Sequence, residues 1–178
     1  MTHESSPTGP GIESYRPGLR RYLGFQQVVL EISVVIMALL VAAEVFCRSI
    51  LGFSLHVTEE IGGYLLVVVV FLGMPLTLAE GTLFRVEFVM GRLSARAAAG
   101  LMVIFNIMSL LVAALLDWQL AGLVRESWER GIVAPTVLAT PQYLPQLVMV
   151  VGMTSVMIVL LVQIVRGVKL FFAGEGDE

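Results

Sequence analysis

The sequence predicts an all-α membrane protein with four transmembrane helices, a short interfacial amphipathic helix, and both termini in the cytoplasm. Three observations predict it. The 178 residues are 57% hydrophobic and only 14% charged, with a mean hydropathy of +0.90. A soluble domain carries about 25% charged residues, and a chain this short has too little interior to hide so much apolar surface. Four runs, 28–46, 61–79, 100–120 and 144–165, approach the roughly 20 apolar residues that a helix needs to cross a hydrocarbon core. Finally, eight of the eleven Lys and Arg residues gather on one side of those runs.

Residues 1–22 are rich in Ser, Gly and Pro and have no apolar face, so they read as a flexible tail. A cleaved signal peptide is not expected, because the first apolar run comes late, is long and contains Glu31. The transmembrane region is expected over 23–170. Nothing alternates at period two over the length that a membrane barrel needs, which leaves helices as the way to satisfy the backbone in lipid. The expected architecture is a four-helix membrane bundle.

In the first span Glu31 lies about one turn inside, and Glu44 stands near the far end, four residues before Arg48. That spacing is the favourable acid-before-base order. The second span opens on Thr58, an N-cap residue, followed by Glu59 and Glu60 in the first turn, where the helix dipole favours negative charge. Gly62 and Gly73 lie eleven residues apart in it, and Pro75 predicts a kink by removing a backbone donor.

The following loop carries Val86, Val89, Met90 and Leu93 at the spacing of one helix face, with Arg85, Arg92 and Arg96 along another. It is expected to lie in the interface, its arginines toward anionic lipid headgroups. The third span aligns Asn106, Ser109, Ala113 and Asp117 on one face, and the fourth aligns Gly152, Ser155 and Gln163. Such stripes of small and polar residues let membrane helices approach and hydrogen-bond. Residues 171–178 are a second polar tail.

Basic residues set orientation. Arg16, Arg20, Arg21, Arg85, Arg92, Arg96, Arg166 and Lys169 share one side, while Arg48, Arg125 and Arg130 hold the other. Both ends are therefore expected inside, with Trp118 and Trp128 near the outer interface. The same sequence argues against several functions. The basic residues are too scattered for nucleic acid. His3 and His56 lie in a tail and a loop, which leaves no ligand pair for haem within the spans. Cys47 stands alone and forms no internal disulfide. No metal, nucleophile or phosphate-loop motif is present, so neither an enzyme nor a cofactor is expected. Polar residues within spans are costly, which makes Glu31, Glu44, Arg48, Glu59, Glu60, Gly73, Asn106, Asp117 and Gln163 the candidates for subunit or helix contact.

One order of features is familiar. Arg48, Thr58-Glu59-Glu60, Phe71-Leu72-Gly73, Gly81 and Phe84-Arg85-Val86-Glu87 resemble the small permease subunit of tripartite ATP-independent periplasmic (TRAP) transporters, the DctQ family. Pro135-Thr136-Val137-Leu138 and Pro141-Gln142-Tyr143-Leu144-Pro145 are similar to it as well, and the resemblance spans about 28–165. The chain departs from the family pattern at Glu80, Leu83 and Glu87. The resemblance implies a multi-pass subunit of a bacterial or archaeal inner membrane, part of an ion-gradient-driven symport of organic anions such as carboxylates or sugar acids. A large permease subunit would hold the substrate and ion sites, a periplasmic solute-binding protein would deliver the solute, and the small subunit would be the scaffold. Independently, the chain shows no inverted repeat or pair of interrupted helices of the kind midplane substrate sites use. The competing reading is a self-sufficient proton-coupled four-helix exporter working as a homodimer, with Glu31 as its carboxylate.

Overall fold

A computed structural model of the protein describes residues 15–53, 57–80, 95–136 and 138–173. Within them the chain forms α1 (Pro17–Phe46), α2 (Val57–Ala79), α3 (Ala95–Glu129) and α4 (Tyr143–Ala173). All four are long and apolar enough to cross a membrane. The loop expected to form the interfacial helix, with Arg85 and Arg92, lies outside the described residues, as does the Arg96 side chain.

Proline at the first position starts α1, where its fixed φ suits a helix and its missing N–H costs nothing. The helix thus begins six residues inside the stretch expected as a tail. Tertiary burial is the reason: Leu23 is fully buried, and Leu19, one turn earlier, packs against the same core. At its other end α1 runs into a π-helical turn, Cys47–Leu51, stopped by Gly52 at φ 72°. That left-handed conformation is easy only for glycine. The continuous helical stretch is 35 residues, about 50 Å at the usual rise, against a core of about 30 Å. It must tilt or protrude.

Pro75 sits buried inside α2, where it cannot donate to the carbonyl four residues back, that of Phe71. At the end of α3, Gly131 at φ 60° turns the chain. The loop to α4 is then pinned as a small hairpin, with Ala134 N–H donating to Thr140 O (2.9 Å) and Gln142 N–H to Ile132 O (3.0 Å). Trp128 stacks edge-on against Tyr143, ring centroids 4.8 Å apart, where that hairpin meets α4.

Packing departs from the expected bundle. α3 rests on α4, α4 on α2, and α2 on α1, with no face of similar extent joining α3 to α1 or α2 among the described residues. The helices form an open layer in the order α1, α2, α4, α3. Two inner helices carry the core, in which Leu76, Leu78, Met153, Val159 and Leu160 are buried. Only 6% of the most apolar stretches of α1 and α3 is buried, against 22% and 28% for α2 and α4. The physical reason lies in the solvent. Lipid is as apolar as leucine, so apolar faces gain little hydrophobic stabilisation by closing on each other, and close approach and hydrogen bonding carry more of the association.

Candidate functional site

Several polar contacts join the helices. Near the middle of α4, Ser155 Oγ donates to Val151 O at 2.7 Å. Its lone pairs then accept from Tyr22 OH at 2.9 Å and from Gln26 Nε2 at 2.8 Å, and Gln26 Nε2 also lies 3.2 Å from Tyr22 OH. Ser155 and Gln26 are almost wholly buried, so this knot ties α1 to α4 away from water, while Gln26 Oε1 is left without a partner.

The last turn of α2 is closed by side chains from elsewhere. A helix end leaves its final carbonyls unsatisfied, and in lipid no water takes them up. Glu80 N–H donates to Leu76 O, Gln163 Nε2 to Leu78 O at 2.8 Å, and Tyr15 OH to Ala79 O at 3.5 Å. Gln163 also reaches Tyr15 OH at 3.4 Å. Arg166 of α4 lies over the Tyr15 ring, 4.4 Å from its centroid, a cation–π contact that holds Tyr15, two residues before α1, in place.

At the opposite end the paired carboxylates part company. Glu59 is exposed. Glu60 is 8% exposed; its Oε1 accepts from Tyr64 OH at 2.9 Å, its Oε2 is buried without a hydrogen-bond partner, and Thr136 and Thr140 of the hairpin loop lie beside the same carboxylate. Glu60 is thus where α2 receives the loop between α3 and α4. Nearby, Glu44 accepts from Thr58 Oγ1 at 3.2 Å, joining the end of α1 to the start of α2, while Arg48 lies exposed in the π-helical turn.

Between the ends, contact is made by small residues. A Cβ on Gly152 would lie 2.4 Å from Phe71 O, the carbonyl that Pro75 leaves without its helical donor. The missing side chain lets α4 approach that carbonyl closely, an approach suited to a Cα–H···O contact. A Cβ on Gly167 would meet Val103 at 2.8 Å, and one on Gly73 would meet Leu30 Cδ1 at 3.1 Å. Asp117 Oδ2 accepts from Thr154 Oγ1 at 3.3 Å, and its Oδ1 has no partner. Asn106 is half-buried on the same helix.

Glu31 differs from all of these. It accepts only from Gln27 Nε2, one turn back at 2.9 Å, among the contacts described. It lies in the exposed stripe Val28, Ile32, Val35 and Leu39 of α1, turned away from the other helices. Tyr15, Tyr22, Gln26, Tyr64 and Thr154 are contact residues that the spans did not single out. The i,i+4 spacing of Tyr22, Gln26 and Leu30 carried a signal for Tyr22 and Gln26, had the helix been started at Pro17. Among the described residues no three of His, Cys, Asp and Glu come together.

A family model described as tripartite ATP-independent periplasmic transporters, DctQ component, matches residues 37–170. No curated protein and no solved structure matches.

Proposed function

The chain belongs to the DctQ family, the small membrane component of TRAP transporters, and from that premise we propose that it braces the large permease subunit and carries no solute itself. The observation that carries this reading is the outer face of α1. Val28, Ile32, Val35 and Leu39 form an exposed apolar stripe with Glu31 among them. A carboxylate facing hydrocarbon is costly, so that face is suited to a protein partner with a donor opposite Glu31. The chain's other buried polar groups engage its own helices, and a scaffold needs nothing more of them.

In this reading both termini are cytoplasmic and the layer sits in the inner membrane of a bacterium or archaeon. The amphipathic loop with Arg85, Arg92 and Arg96 lies on the inner leaflet. The large subunit binds an organic anion, a carboxylate or sugar acid, together with the coupling ion, after delivery by the solute-binding protein. The chain stands ready to be built upon, because an open layer leaves two long edges for a neighbour.

The same stripe favours a second reading, in which it meets a second copy and Glu31 carries protons in an exporter. One pair of variants separates them. Glu31→Gln keeps the shape and the hydrogen bonding, and is expected to leave uptake by the full system within a few-fold of wild type with its pH dependence unchanged. Glu31→Leu is expected to reduce co-purification of the large subunit. Abolished uptake in Glu31→Gln with assembly intact would refute the scaffold reading, as would robust flux by the small chain alone in liposomes.

A further inference from the structure

We draw no further inference here: the strongest candidate, the buried Glu60 carboxylate where the first turn of α2 meets the hairpin loop, belongs to the joint already described.

Discussion

Gly152→Ala should loosen the contact between α2 and α4 more than any other glycine-to-alanine change in the spans. The added methyl would sit 2.4 Å from Phe71 O, 2.7 Å from Phe71 C and 2.8 Å from Phe71 Cβ. Carbon and oxygen in a Cα–H···O contact rest at about 3.3–3.6 Å, so roughly 1 Å must be found. None of it can come from a flexible side-chain tip, since all three atoms belong to the backbone or are anchored to it. The two helices must part.

Overpacking of this kind costs about 1–3 kcal/mol, and the Cα–H···O contact adds about 0.5–1 kcal/mol. If the separation reaches Gln163, its 2.8 Å bond to Leu78 O stretches beyond hydrogen-bonding range, a further loss of about 0.6–1.7 kcal/mol. A total of about 1.5–4 kcal/mol is expected from the first two terms, and about 2–6 kcal/mol if the Gln163 bond is lost as well. Gly73→Ala meets only a leucine terminal methyl at 3.1 Å, which can rotate, and should cost less than about 1 kcal/mol. Gly62→Ala meets nothing within 4 Å and should be neutral or stabilising, as alanine favours helix by up to about 1 kcal/mol over glycine. Equilibrium unfolding of the purified chain in mixed micelles measures all three. Gly152→Ala as stable as wild type, or no less stable than Gly73→Ala, would refute the reasoning.

Other outcomes follow from the same contacts. Gln163→Leu strips the donor from Leu78 O and should destabilise by about 0.6–2 kcal/mol, with faster amide exchange in the last turn of α2. Ser155→Ala and Gln26→Leu should be non-additive in a double-mutant cycle, because each removes the other's partner; full additivity would mean that the knot between α1 and α4 does not form. Glu60→Ala removes the group that receives the hairpin loop, and a cysteine at Thr136 should then label faster than in the parent, whereas Glu59→Ala should leave labelling unchanged. A cysteine placed within 127–136 should be accessible from outside and one at Ser94 inaccessible; the reverse pattern would invert the proposed orientation.

The residues that sequence reasoning picked out and those that structure brings together overlap unevenly, for physical reasons. Stripes of small and polar residues are visible in one dimension because a helix repeats every 3.6 residues. Gly152, Ser155 and Gln163 could be seen to share a face before their partners were known. The partners could not be seen. Phe71 O becomes a contact point because Pro75, four residues on, withholds its donor, and Gly152 answers it from another helix. Glu59 and Glu60 look alike in sequence, yet one is exposed and the other buried, since only Glu60 falls on the side where the hairpin loop returns.

The sequence by itself determined that this chain lives in lipid as four helices, because composition and run length decide solvation without reference to any neighbour. It also carried the short motifs by which its DctQ membership could be suspected. Only the tertiary structure decided that the helices lie as an open layer and not a closed bundle. In a bilayer the apolar effect does not drive helices together, so their order rests on a few close approaches and hydrogen bonds between residues far apart in the chain. Ser155 with Gln26, Gln163 with Leu78, and Glu60 with the hairpin loop are such pairs, and nothing local to either member reveals the other.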